Sequence, residues 1–350
     1  MGNEFRLGII GIGDMAGVHA GAATRLGVPL AIAAGQNRAR AEELAEATGG
    51  LLYPSVDALL ADPDVTAVDL CVPNHLHRTF AERAFAAGKH VLCEKPIALS
   101  LADADAMIAG ARAAGVTFMV GHVVRFWPEY RRFHDGVVAG EFGTVRWMSL
   151  RRLTGVLSAT AGREDWRANV ASSGGAILDL QIHDLDFLSW VFDSPTAIYS
   201  RGIQSPGGTW DHVLTSATFP DCETLVEGSF LMQGAPFELG FHAITDRGTV
   251  QYHYSPASFA LHGLHGEGAD AGPAVASLKL YPVGGEPVDL YTPDRDSFEV
   301  AIDGEIEAFV SAIVEGRDSP IPGEDARRSL AVSLSSLESC ETGEIVIPSL

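Results

Sequence analysis

The stretch Leu7-Gly8-Ile9-Ile10-Gly11-Ile12-Gly13-Asp14-Met15-Ala16 decides the fold. An apolar run, strand-like over residues 6–10, meets two glycines one residue apart and passes into helical spacing over residues 15–26. That order is the setting a G-x-G-x-x-G/A dinucleotide fingerprint requires. Gly11 permits the tight turn and Gly13 lets a pyrophosphate approach the backbone at a helix N-terminus, where an anion is favoured. Asp14 and Met15 complete the turn, and the small Ala16 lets helix pack closely on strand.

The alternation continues along the chain. Residues 29–34, 65–72, 90–93 and 116–120 are short apolar runs, separated by helical patterns over 39–48, 76–87 and 101–114. Strands alternating with helices through short turns predict a parallel sheet covered on both faces, a doubly wound α/β domain. After residue 123 the texture changes. A helical pattern over 130–139 precedes a strand-like 144–153 and a helix from about 177 to 192, and residues 196–291 are rich in strands, including 224–232, 237–245 and 249–254. Consecutive strands without intervening helices predict an antiparallel sheet. Residues 255–273 read as a long loop, and 298–314 and 324–340 as two closing helices. The expected domains are residues 1–123 and 124–350. An exposed sheet face in the second predicts association into a homo-oligomer, a dimer or a tetramer.

The chain has 350 residues, 47% of them hydrophobic, with 24 basic and 45 acidic side chains and a net charge of −21. Such a composition fits a soluble globular protein of two domains. The negative field repels phosphate backbones and no Lys/Arg-rich run overrides it, so nucleic acid is not expected as a partner. No stretch reaches the roughly 18 apolar residues of a membrane helix, and no basic leader precedes the first apolar run; the expectation is a cytoplasmic protein with no membrane partner. Cys71, Cys93, Cys222 and Cys340 lack C-x-x-C spacing, which argues against a disulfide framework or a zinc knuckle.

An enzyme preferring NAD usually ends its second strand in a carboxylate that holds the ribose 2′-hydroxyl. Here that position reads Gly35-Gln36-Asn37-Arg38. Arg38 and Arg40 can face a 2′-phosphate and the amides of Gln36 and Asn37 can hydrogen-bond it, so the preferred cofactor is NADP, with NAD the alternative. Lysine is scarce, only Lys89, Lys95 and Lys279. Lys95, in Cys93-Glu94-Lys95-Pro96, closes a buried strand at the sheet edge where open α/β folds bind ligands, and there it can exchange a proton with a substrate hydroxyl; a structural lysine capping nearby carbonyls is the other reading. Asp179 and His183, four apart, share one helix face, with Asp186 close to it; a carboxylate beside an imidazole makes a general acid or base. A buried structural pair and a metal site are the other readings of those two residues, the latter without further ligands at supporting spacing.

Taken in order, Gly11 to Ala16, Val72-Pro73-Asn74-His75-Leu76-His77, Glu94-Lys95-Pro96, Arg125-Phe126, Trp166-Arg167, Gly174-Gly175, Asp179 and His183 resemble the Gfo/Idh/MocA family of glucose-fructose oxidoreductase, inositol dehydrogenase and the rhizopine catabolism oxidoreductase. The resemblance implies an N-terminal Rossmann domain that binds NAD(P) and a C-terminal α/β domain with an open, mostly antiparallel sheet for substrate binding and oligomerisation. It implies reversible hydride transfer to or from a secondary alcohol or ketone of a sugar, cyclic polyol or keto-sugar, with Lys95, Asp179 and His183 as catalytic residues that also touch the substrate. Val72, Pro73, Asn74, His77 and Glu94 would line the cofactor, and Trp166 and Arg167 would approach nicotinamide and substrate. Ser173 and Gln181 depart from the family pattern and would sit beside the pocket. The arginine-rich stretch, with Arg125 and Arg163 as expected substrate contacts, would face the cofactor or an acidic or phosphorylated substrate, or else pair with the acids that follow. An inactive sugar- or nucleotide-sensing protein on the same fold is the alternative, which a complete proton relay disfavours.

Overall fold

The computed structural model describes residues 5–35, 37–155, 173–255 and 275–350. The chain divides into two compact units, residues 1–123 with 301–327 and residues 124–300 with 328–350. The expected second domain, 124–350, therefore differs from the unit found there: residues 301–327 group with the first unit. A backbone bridge between Met119 and Pro322 and a bond from the Val120 N–H to the Ile321 carbonyl join that returning segment to the sheet edge.

In chain order the first unit contains β1 (Leu7–Ile10), α1 (Asp14–Arg25), β2 (Leu30–Ala33), α2 (Arg38–Thr48), β3 (Leu51–Tyr53), α3 (Val56–Ala61), β4 (Ala67–Leu70), α4 (His77–Ala86), β5 (His90–Glu94), α5 (Leu101–Ala114) and β6 (Phe118–Gly121). The strands form one parallel sheet in the order β3-β2-β1-β4-β5-β6. Every residue of β1, β2, β4 and β6 is buried, because helices cover both faces, and such strands read in sequence as unbroken apolar runs. The short, half-exposed β3 and the six-residue α3 escaped the pattern, since three to six residues are too few for a period to show. The order reverses between β1 and its two neighbours, the point at which this architecture opens a crevice beyond the strands' carboxyl ends.

The second unit contains α6 (Pro128–Val138), β7 (Val145–Leu153), α7 (Ile182–Phe192), β8 (Ala197–Gln204), β9 (Trp210–Thr218), β10 (Glu223–Ser229), β11 (Glu238–Thr245), β12 (Gly248–Ser255), β13 (Val275–Pro282) and β14 (Val288–Tyr291). These strands form a sheet in the order β14-β13-β12-β11-β7-β10-β9-β8. It is antiparallel except that β7 pairs in parallel with β10, which a long connection from one to the other permits. Tyr130, Phe133, Phe187, Phe241 and Tyr252 fill the space between sheet and helices, with the Tyr130 and Phe187 rings 4.7 Å apart at 87°. Two closing helices follow, α8 (Ser297–Glu315) and α9 (Gly323–Thr342). The expected loop over 255–273 lies, after Ser255, outside the described residues.

Gly11 has φ +112°, and a Cβ there would stand 2.1 Å from the Cys71 carbonyl oxygen at the end of β4. Only glycine passes that point. A Cβ on Gly13 would meet nothing within 4 Å. Gly11→Ala should therefore lose at least ~1–3 kcal/mol of stability from the backbone conformation alone, while Gly13→Ala should melt within a few degrees of the native protein; equal melting temperatures for the two variants would contradict this.

Candidate active site

The glycine turn presents the N-terminus of α1. Gly13, its N-cap, is exposed and open in front, Asp14 and Met15 are half-buried in the first turn, and Ala16 is buried against the sheet. Free backbone N–H groups facing open space fit the pyrophosphate of a dinucleotide. Beside it, the Asn37 side chain caps α2 by accepting the Arg40 N–H at 3.2 Å, and Arg38 donates to Glu42 at 2.8 Å. The Arg40 guanidinium donates to Asp14 at 2.9 Å, which links the two loops. All of these are solvent-facing contacts, cheap to exchange for a stronger anion. Gln36 lies outside the described residues.

The expected Val72–His77 stretch and the lysine turn meet beyond the ends of β4 and β5. The His77 ring has no exposed surface and spans the carbonyls of Pro96, at 2.8 Å, and Val72, at 3.0 Å. Burial holds its titration below the ordinary imidazole range, so the neutral ring donates to one carbonyl. His77, expected as a cofactor contact, ties the Val72 loop to the lysine turn. Asn74 is buried, while Val72 and Pro73 are half-buried at the surface of that loop. Lys95 is half-exposed, its peptide bond to Pro96 is cis, and its N–H donates to Glu94 Oε2 at 3.1 Å.

Behind this turn lie residues the sequence reading passed over. His19 of α1 has no exposed surface; its Nδ1 is 2.8 Å from Asp69 Oδ2 and its Nε2 is 3.1 Å from Glu94 Oε1 and 3.9 Å from Glu305 Oε1. Burial alone would favour a neutral ring, but Asp69 and Cys71 outweigh it and hold His19 well above the ordinary imidazole range. Glu305 goes the other way: burial first, then the neighbouring Glu94 and Asp69 against the opposing pull of His19, keep it protonated well above the usual carboxylate range. Burial works to raise Glu94 too, yet its close charge contact with His19 holds it ionised, below the ordinary value. A signal was present in Ala67-Val68-Asp69-Leu70, where an acid interrupts a run otherwise fit for a fully buried strand.

In the second unit, Asp179 lies on a single π-helical turn, Ile177–Gln181, and His183 follows in the first turn of α7. The expected continuous helix is thus broken in period at the residues of interest, a frequent mark of functional sites. From residue 173 to 189 every residue is buried except Asp179 and His183. Their neighbours are fixed elsewhere: Asp184 accepts Arg152 at 3.1 and 3.0 Å, and Asp186 accepts Arg125 at 3.0 and 2.8 Å and the Ser329 hydroxyl at 2.6 Å. Gln181, expected beside a pocket, is buried and donates to the carbonyls of Val213, at 2.8 Å, and Val226, at 3.0 Å, in space that Gly228 leaves open. Ser173 is likewise buried and accepts the Gly175 N–H at 3.1 Å. Arg125, expected as a substrate contact, has its charge matched by Asp186, and Arg132, Arg146 and Arg151 pair with Glu141, Asp246 and Glu238. Arg163, Trp166 and Arg167 lie outside the described residues.

Residues 5–122 match the oxidoreductase family with an NAD-binding Rossmann fold, and residues 130–251 match the Gfo/Idh/MocA C-terminal domain. The chain belongs to the Gfo/Idh/MocA oxidoreductases. It is 32% identical over 312 residues to 1,5-anhydro-D-fructose reductase of Ensifer adhaerens, covering 84% of this chain and 83% of the relative. It is 26% identical over 337 residues to inositol 2-dehydrogenase of Rhizobium meliloti strain 1021, covering 94% of each. Among solved structures, levoglucosan dehydrogenase in complex with NADH and levoglucosan superposes with a TM-score of 0.81 at 20% identity, over 99% of this chain and 100% of the other. The family is one of NAD-binding enzymes, so the protein is an oxidoreductase with a nicotinamide-dinucleotide domain. Among the described residues no helix is long and apolar enough to cross a membrane.

A raised Glu305 stabilises the fold fully below the ordinary carboxylate pKa of about 4.3 and loses that contribution as pH climbs toward its folded value. Glu305→Gln mimics the neutral acid and removes the loss. Its melting temperature should exceed the native one by a margin that grows between about pH 5 and pH 8; a margin independent of pH would count against a protonated Glu305. Gly13→Ala, folded normally, should weaken NADPH and NADH binding about tenfold or more, as read by fluorescence titration.

Proposed function

We propose that the protein catalyses reversible hydride transfer between a nicotinamide cofactor and a secondary alcohol or ketone of a sugar, cyclic polyol or keto-sugar. The observation that carries this reading is selective exposure: along an otherwise buried 17-residue stretch, only a carboxylate and an imidazole reach solvent. His183 takes or returns the hydroxyl proton, Asp179 orients and polarises it, and Lys95 donates to the substrate oxygen. The bound nicotinamide supplies the hydride acceptor or donor. Groups of this kind suit a ligand with several adjacent hydroxyls, as in the anhydrofructose and inositol of two relatives. Retention of all three residues favours an enzyme over a sensing protein.

NADP is the preferred cofactor in this reading. The end of β2 lacks a carboxylate, and Arg38 and Arg40, held only by exposed pairs, are available to a 2′-phosphate. A screen of myo-inositol and related polyols with NADP+ and NAD+, and of 1,5-anhydro-D-fructose with NADPH and NADH, followed by nicotinamide absorbance, should find turnover that is faster with the phosphorylated cofactor. Lys95→Ala and His183→Ala should each lower kcat about 100-fold or more with cofactor affinity nearly intact, and Gly35→Asp should move preference toward NAD. Normal turnover in either alanine variant removes the assigned roles, and an unchanged cofactor ratio in Gly35→Asp removes the end of β2 as determinant.

The open face of the second sheet also supports assembly of copies. Leu225, Ile244 and Tyr281 share that face and are 38%, 49% and 41% exposed. Light scattering should return a dimer or tetramer that Leu225→Glu with Ile244→Glu dissociates; a native monomer would exclude it.

A further inference from the structure

Five ionisable groups of the first unit converge beneath the carboxyl ends of its strands: His19 of α1, Asp69 and Cys71 at the end of β4, Glu94 at the end of β5 and Glu305 of α8. His19, Asp69 and Glu305 have no exposed surface and Glu94 is 8% exposed. Neither oxygen of Glu305 has a hydrogen-bond partner among the described residues. Gly121, at the end of β6, lies against this cluster: a Cβ there would stand 3.3 Å from Glu305 Oε1, and the carboxyl would have to give by a few tenths of an ångström.

Glu94 is the hinge of this cluster. Its Oε1 faces His19 Nε2 at 3.1 Å, and its Oε2 accepts the Lys95 N–H at 3.1 Å. One carboxylate thus joins a buried imidazole to the main chain of the lysine assigned to the chemistry. We propose that His19 is a positioning residue for Lys95: set between Asp69 and Glu94, its ring fixes the orientation of the Glu94 carboxylate, so that the helix behind the glycine turn and the lysine turn keep one fixed relation. The inference rests on the proposed role of Lys95.

The same five groups suggest a metal site at first sight, because their ligand atoms fall within 4.8 Å of one another in sets of three. The ring geometry argues otherwise. The His19 ring, held protonated by Asp69 and Cys71, carries a proton on both nitrogens and offers no lone pair to a cation: Nδ1 is hydrogen-bonded to Asp69 Oδ2 at 2.8 Å, and Nε2 lies in charge contact with Glu94 Oε1 at 3.1 Å without a hydrogen bond. An imidazolium beside two carboxylates, with Glu305 as a neutral acid, leaves one net negative charge, which the Lys95 side chain acting on Glu94 offsets without a metal. The groups facing His19 are Asp69 and Cys71 from β4, Glu94 from β5 and Glu305 from α8; Lys95 and His77 face Glu94 in turn.

His19→Gln removes the charge and keeps a hydrogen-bonding side chain. With the fastest polyol or keto-sugar pair of the screen above as probe, it should lower kcat about tenfold or more, shift the kcat–pH profile, and leave the NADPH dissociation constant within about threefold. In a Lys95→Ala background the same change should alter kcat by less than about twofold, since its effect passes through that lysine. Glu94→Gln, which retains an acceptor for the Lys95 N–H, should reproduce the shifted profile. Asp303→Asn, on the same helix as Glu305 but in an exposed pair with Arg25, should leave all of these unchanged.

Full turnover in folded His19→Gln with the native pH profile would overturn the inference, as would additive losses in the double variant. So would a stoichiometric divalent metal in the purified protein. If His19→Gln and Glu94→Gln both fail to fold while Asp303→Asn folds, the cluster is structural only and the inference falls. Normal turnover in Lys95→Ala would instead remove the functional reading beneath it, a result distinct from all of these.

Discussion

Burying an ion costs several kcal/mol unless a partner of opposite charge and good hydrogen bonds accompany it. In the first unit that requirement is met at one ring. His19 lies between Asp69 and Glu94, and through them α1, β4 and β5 are joined at the ends that face the nucleotide turn. Glu305 brings α8 to the same point. The pieces this unit uses, a glycine turn, a loop after β4 and a lysine turn after β5, come from three separate places in the chain. A few buried charges join these places, and His77 is a second, uncharged clip between the last two.

The second unit solves a related problem with other chemistry. The segment around Asp179 and His183 carries two more acids and a glutamine, and each is committed to an internal partner: Asp184 to Arg152, Asp186 to Arg125, Gln181 to the carbonyls of two strands. Paired in this way, the surrounding polar groups are satisfied and rigid. Asp179 and His183 are the two residues of that stretch that keep partial exposure.

Legibility in the sequence varied with the range of the interaction involved. The glycine turn, the parallel strands and most helices were readable because their signals are local: two glycines at fixed spacing, runs of apolar residues, and periods of 3.6 or 2. Short elements such as β3 and α3 escaped notice for want of enough residues to show a period. The lysine turn and the Asp179 and His183 pair were readable as a family pattern. The return of residues 301–327 to the first unit was not, since nothing local in a helix says which sheet it will cover.

The sequence by itself determined the fold class and the place of the glycine turn, because each depends on neighbours within a few positions. Tertiary structure alone decided which polar residues keep some exposure and which serve as internal fasteners. Arg125, His77 and Gln181 resemble site residues when read in line, yet each is buried on a partner 5 to 61 positions away. Whether a charge is spent inside the protein or left for a substrate depends on what the fold brings beside it, and desolvation makes that choice strict.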